Sequence, residues 1–294
     1  MSWLQTASED RGEPRWRRRL VGAAVVAVAL VVGLFAFLIY VLLASGDASY
    51  WEGEIAAFER RDISNPPPRG AIVFVGGTTI RRWPDLAGAM APLPVLNRGF
   101  GGAHVAHVTA YVPRIVTPHE PAAVVISAGA DDLADVGGKP PEDVAADMAA
   151  LVDALRRGGE GRQVYVLAIT PAPMRAERWP AFAAVNRKLA ALAAARSGVE
   201  FIDVAAPLFT PAGRLREDLY RWDGLTLNAA GYDTLGGVVR ARLMEDLGAR
   251  LAGGGDAPAP LDLTAPAPLR SLAPWARPAA LWAPARPLRF VFRP

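Results

Sequence analysis

The sequence contains no cysteine, which excludes disulfide staples and thiolate metal sites. It holds only three histidines, His104, His107 and His119, so imidazole for general-base work is scarce. An excess of one charge is missing as well. The formal net charge is +3, and the basic residues collect towards the two ends of the chain rather than on one domain face. A general role in nucleic-acid binding has little footing. Long apolar runs are absent with one exception, Leu20–Ala44, which carries no charged residue. That run satisfies the roughly 20 residues that a helix needs to cross a bilayer.

The remaining length divides by composition. Residues 1–19 are polar, with Arg11, Arg15, Arg17, Arg18 and Arg19 just ahead of the apolar run, whereas Asp47, Glu52 and Glu54 follow it. The excess of arginine on one side predicts a single-pass membrane anchor over residues 20–44. The N-terminus is then cytoplasmic and the main domain extracytoplasmic, on the periplasmic side. A cleaved signal peptide is the alternative, with Ala44-Ser45-Gly46 as small residues, although the run exceeds the usual ~7–15 residues of a signal core. Residues 45–69 read as a collar. Ser49–Arg61 is amphipathic, with Trp51, Ile55 and Phe58 on one helical face, and Asn65-Pro66-Pro67-Pro68 forces extended chain after it. This collar is expected to pack on the domain that follows. Residues 251–294 are rich in Ala and Pro, a composition that cannot bury enough surface to fold alone. Their end carries Trp275, Trp282, Phe290 and Phe292 among arginines. It reads either as a disordered tail or as a docking segment for a protein partner, able to add a strand to a sheet edge.

Between them, residues 70–250 alternate strand and helix. Short apolar, β-branched runs predict strands at Ala71–Val75, Pro94–Asn97, Ala122–Ser127, Gln163–Ile169 and Glu200–Val204. Helical periodicity covers Ile80–Ala89, Ala103–Val116, Pro141–Arg157, Arg175–Ala195 and Ala229–Leu251. Five short strands with intervening helices predict a three-layer α/β/α, flavodoxin-like domain on a parallel sheet. The organising stretch is Ala71–Trp83, in which a buried strand ends abruptly in Gly76-Gly77 and opens into a helix. The carboxyl ends of strands are where ligands gather in such sheets, so Thr78 and Thr79 stand where a nucleophile would stand.

Four clusters fall at these strand ends and loops: Gly76-Gly77-Thr78, Asn97-Arg98-Gly99-Phe100-Gly101-Gly102, Gly129-Ala130-Asp131-Asp132, and Trp222-Asp223-Gly224-Leu225-Thr226-Leu227-Asn228-Ala229-Ala230-Gly231-Tyr232. Together they resemble the blocks of the SGNH/GDSL hydrolase family, over about Trp51 to Leu247. The resemblance implies that the first block carries a serine nucleophile and the second an oxyanion glycine. It further implies an oxyanion asparagine in the third block, and in the fourth an aspartate–histidine pair that activates the serine. Carried over by position, the serine is Thr78, the glycine is Gly102, the asparagine is Asp131, the aspartate is Asp223 and the histidine is Thr226. Asp132 matches an aspartate that holds the loop. No cofactor and no metal is implied.

Three of the five chemical positions depart from the family pattern. A hydroxyl nucleophile needs a base within hydrogen-bond reach, and Thr226 has no basic lone pair. An ionised Asp131 accepts hydrogen bonds but cannot donate one to a developing oxyanion, and losing one such donor costs roughly 10²–10³ in rate. His104 is the candidate for a relocated base, because it begins the helix that follows Gly102. The oxygens of Thr78, Asp131, Asp223 and Thr226 could alternatively suit a cation or a sugar hydroxyl. The sequence therefore predicts a hydrolase-like domain that is catalytically inactive and serves as a ligand-binding or structural subunit of a membrane complex. The alternative is an esterase or acyltransferase on ester-linked groups of glycans or lipids, working through Thr78 and a relocated base.

Overall fold

The computed structural model describes residues 15–44, 47–134, 138–157, 159 and 161–251. The polar start of the chain, the small residues at 45–46, and the tail with Trp275, Trp282, Phe290 and Phe292 lie outside the described residues. The chain divides into two units, one ending at Tyr50 and one beginning at Trp51. In the first, Arg15–Ala44 forms one helix (α1), and its described apolar side chains, Val25, Leu30 and Phe35 among them, are exposed. Counting only described residues, no helix is long and apolar enough to cross a membrane. The spanning reading of residues 20–44 therefore rests on the sequence.

The second unit is built on five parallel strands in the order β2-β1-β3-β4-β5. They are Ile72–Gly76 (β1), Val95–Gly99 (β2), Ala123–Ser127 (β3), Gln163–Leu167 (β4) and Val199–Ile202 (β5). Every residue of β1 is buried, as expected for a central parallel strand covered on both faces. Helices Val105–Ile115 (α5), Pro141–Arg157 (α7) and Trp179–Ala194 (α8) pack side by side, whereas Leu86–Met90 (α4) packs on Ala229–Leu251 (α9). The result is the expected three-layer α/β/α architecture. Leu151, Leu155 and Leu189 are buried core positions.

Two expected helices are interrupted, and proline explains both. The segment 80–89 splits into Thr78–Arg81 (α3) and α4 because Pro84 disfavours helical geometry at Trp83. Asp85 then starts α4 as its N-cap, accepting the Gly88 N–H at 2.9 Å. Likewise 175–195 becomes a 3₁₀ stretch, Pro173–Arg178, followed by α8 with Pro180 in its first turn.

The part of the collar from Trp51 onward belongs to the second unit. Helix Glu52–Ser64 (α2) follows a turn that ends in buried Trp51. The Trp51 indole Nε1 donates to the Gly101 carbonyl at 2.8 Å, and its ring lies 4.4 Å from that of His107 and 5.9 Å from that of Phe100. Ion pairs tie the rim of the collar down: Arg114 to Glu52 and Glu59 at 2.7 and 2.8 Å, Arg81 to Glu54 at 2.6 Å, and buried Arg98 to Asp62. The collar thus holds the glycine loop after β2 from outside. Trp51→Ala is expected to lower unfolding stability by about 3–5 kcal/mol, and Trp51→Phe, which keeps the ring packing and loses the indole donor, by about 1 kcal/mol. Denaturant titration of the two variants checks both values.

Candidate functional site

Each family position is placed by a backbone feature. Strand β1 ends at Gly76, whose φ is +145° and where any Cβ would run into the Ser127 carbonyl. Only glycine fits there, and the chain turns at once, with the Gly77 N–H donating to Ser127 O at 2.9 Å. Thr78 therefore opens α3 at the carboxyl edge of the sheet. Gly102 has φ +70°, a left-handed turn that suits glycine. It aims its N–H at Thr78 Oγ1, at 3.1 Å. The loop after β3 is fixed by buried Asp132, which accepts the Val105 N–H at 3.0 Å and lies 3.3 Å from Lys139 Nζ. Asp132 is thus a loop-holding residue, as its position in the sequence suggests. From the other side, Tyr232 on α9 donates to the Thr79 carbonyl at 3.1 Å. Asn186 on α8 clamps both backbone groups of Ile169, at 2.8 and 2.9 Å.

These elements enclose a cavity of about 310 Å³ at the carboxyl ends of the strands. Thr78, Asp131, Asp223 and Thr226 all line it, so the sequence positions do converge, with Gly102 joined to them through Thr78. Two further lining residues decide the chemistry, Arg82 and Arg175. Arg175 leaves helical geometry within its 3₁₀ stretch, and its Nη2 donates to Asp131 Oδ1 at 2.9 Å. The Asp131 carboxylate is therefore paired with a cation. Arg82 caps the end of α3, one helical turn after Thr78, and so lies on the same side of the chain. Its Nη1 donates to Thr226 Oγ1 at 2.8 Å, and that hydroxyl donates to Asp223 Oδ2 at 2.7 Å. Asp223 Oδ1 also accepts the Leu225 and Thr226 N–H groups, at 2.9 and 2.8 Å. These hydrogen bonds, from the Thr226 and Leu225 backbone first and then the Thr226 hydroxyl, hold the Asp223 carboxyl down at about 2, with a smaller contribution from Arg82.

No histidine lines the cavity. His104 is the N-cap of α5 and exchanges capping hydrogen bonds with His107, whose ring stacks on it at 5.0 Å. His119 is half-buried at the other end of the sheet, 3.4 Å from Asp62. Burial first, and Arg98 next, push its pKa down. The cation reading finds both cavity carboxylates already engaged, and among the described residues no group of three acidic or imidazole side chains could hold a metal ion. Of the residues that line the cavity, Leu225 is an exposed apolar side chain.

A family model described as GDSL-like lipase/acylhydrolase matches residues 65–234, more than half of the chain. The chain belongs to this GDSL-like family. Among solved structures it is similar to a Streptococcus pneumonia protein provisionally described as a platelet activating factor. That match has 21% identity and a TM-score of 0.59, and covers 73% of this chain and 99% of the other. A GDSL-like lipase from Bacteroides thetaiotaomicron matches with 19% identity and a TM-score of 0.54, covering 68% and 98% of the two chains. A family 3 carbohydrate esterase from Clostridium thermocellum matches with 17% identity and a TM-score of 0.52, covering 63% and 100%. At these identities the structural matches establish the fold alone. No match was found among curated proteins.

Arg82 and Arg175 were not singled out from the sequence of this GDSL-like domain. Arg82 was open to discovery, since it follows Thr78 by four residues on a short helix. The signal for Arg175 was indirect: a carboxylate in a partly enclosed position calls for a cation, but nothing local says which one. The depressed carboxyl of Asp223 has a measurable consequence. Its folded pKa lies below the ordinary carboxylate value of about 3.9. Its stabilising contribution is therefore complete above about pH 4 and lost as pH falls toward 2. Asp223→Asn is expected to remove that part of the acid slope, as read by urea melts between pH 2 and 6.

Proposed function

We propose that this chain is a membrane-anchored GDSL-like domain that binds a ligand without hydrolysing esters, or serves as a subunit of a membrane complex. One observation carries this reading: the guanidinium of Arg82 contacts Thr226, at the position from which the family's base would act. A guanidinium stays protonated at any pH a protein survives, so it cannot take the Thr78 proton. With no imidazole lining the cavity, Thr78 keeps its proton and remains a weak nucleophile. Loss of one member of a comparable triad costs on the order of 10⁴–10⁶ in rate. The anchor is argued from the uncharged run over residues 20–44 and its arginine flank. A partner is argued from the aromatic residues of the tail, Trp275, Trp282, Phe290 and Phe292.

The test is an ester-hydrolysis assay with Thr78→Ala as control. The expected result is no Thr78-dependent turnover, and clear Thr78-dependent turnover overturns the reading. A restoration series probes the reason. The triple change Thr78→Ser, Asp131→Asn and Thr226→His is expected to stay nearly inactive, because Arg82 still reaches into the space a histidine needs. Adding Arg82→Leu is expected to raise activity above the triple variant by at least about tenfold, a modest share of the cost of a missing triad member. Equal activity in the two would show that Arg82 is no obstacle.

A further inference from the structure

The charged groups of the cavity differ in what they have left to offer. Among the described residues, Arg82, Arg175, Asp131 and Asp223 are the only charged ones that line it, and their formal charges cancel. Their hydrogen-bonding capacity does not cancel. Asp223 accepts three hydrogen bonds from Leu225 and Thr226, and Asp131 Oδ1 accepts from Arg175. Only Asp131 Oδ2 has no hydrogen-bond partner among the described residues. By contrast, Arg82 spends one donor, Nη1, on Thr226, and its Nε and Nη2 have no partner among the described residues, while its side chain is 53% exposed. Thr78 Oγ1 accepts the Gly102 N–H, which leaves its own proton free to donate. Among its charged groups, the cavity thus has more free donors than free acceptors, and the donors lie beside Thr78.

A ligand that matches this pattern is acceptor-only, planar and singly charged. We infer that the cavity is a receptor for a small monocarboxylate, whose oxygens would take the free Arg82 donors and the Thr78 hydroxyl. A guanidinium presents its donors as a fork that fits a carboxylate. Two resident carboxylates stand in the same space, and their repulsion grows with ligand charge, so a monoanion is favoured over a phosphate dianion. Ile169, Phe182 and Leu227 line the same cavity and offer apolar surface to a short chain attached to the carboxylate. The volume, about 310 Å³, sits at the lower end for small-molecule sites and suits a ligand of that size. This inference rests on the binding, non-hydrolytic reading of the site.

The test uses the full chain in detergent micelles, with sodium butyrate as probe. Butyramide serves as the uncharged isostere, inorganic phosphate as the competing oxyanion, and chloride balances ionic strength. A ligand that binds only the folded state raises the unfolding temperature with a saturating concentration dependence. Butyrate is expected to do so, and butyramide and phosphate to have markedly smaller effects. Arg82→Gln is expected to weaken the apparent butyrate affinity by roughly tenfold or more, the scale of a charge-assisted hydrogen bond. No butyrate effect, an equal effect of butyramide, or unchanged affinity in Arg82→Gln overturns the inference, and a stronger effect of phosphate overturns the carboxylate class. The comparison of butyrate with butyramide needs no variant, so it stands even if Arg82→Gln fails to fold. Turnover of a butyrate ester is read in parallel. Thr78-dependent hydrolysis would remove the non-hydrolytic reading, whereas the butyrate titration judges the carboxylate site separately.

Discussion

A carboxylate in the place of an amide must be compensated or expelled from a cavity, and the pairing of Asp131 with Arg175 supplies the compensation. Their side chains are 17% and 27% exposed, so the pair is neither a surface bridge nor a buried one. Exposed pairs contribute about 0–1 kcal/mol, while breaking a buried pair costs about 3–5 kcal/mol. This pair falls between those limits, and removing Arg175 alone would leave Asp131 without its cation in a partly desolvated position. The rest of the cavity depends on that compensation. With Asp131 neutralised, the region around Thr78 and Gly102 is governed by Arg82, and anion recognition is again electrostatically reasonable in a site whose amide donor is gone.

The scaffold survives these changes because its anchors are not the chemical residues. The turn after β1 depends on Gly76 and its approach to Ser127. The loop after β2 is held by Trp51 through Gly101, the loop after β3 by Asp132, the end of β4 by Asn186, and α3 by Tyr232. Buried polar groups of this kind are satisfied pairwise, and each would cost about 1–3 kcal/mol if orphaned. None of them is Thr78, Asp131 or Thr226. A family cavity can therefore change its chemistry while its walls stay in register.

This separation also explains what the sequence disclosed. The strands were legible because central parallel strands read as short apolar runs, and β1 is buried throughout. The glycine clusters were legible because φ +145° at Gly76 and +70° at Gly102 restrict the residue type. The helix breaks were also written in the sequence, at Pro84 and Pro180, though a reading by periodicity ran through both. The two arginines were harder to see. A guanidinium on a long flexible stem can reach many partners, and Arg175 finds an aspartate 44 residues away in sequence. Charge compensation is a property of the folded cavity, so no local pattern announces it. The surroundings of His104 were hidden for a related reason. Position alone put it near the site, but its ring caps α5 and stacks on His107.

Hydrogen-bond accounting gives the substitution at position 226 a physical logic. In a triad the aspartate accepts a proton-bearing ring nitrogen, and simple removal of that ring would leave the acceptor unsatisfied. Thr226 replaces the donor with its own hydroxyl, at 2.7 Å from Asp223. The hydroxyl oxygen then needs a donor of its own, and Arg82 provides one at 2.8 Å. The chain of donors runs from guanidinium to hydroxyl to carboxylate without a gap and without a base. The carboxyl at one end of this run is held below the ordinary carboxylate range, first by the Thr226 and Leu225 N–H groups and then by the Thr226 hydroxyl. A triad works by passing a proton between states of similar energy. Here the hydrogen bonds of Arg82, Thr226 and Asp223 form one connected run that turns donors toward the cavity.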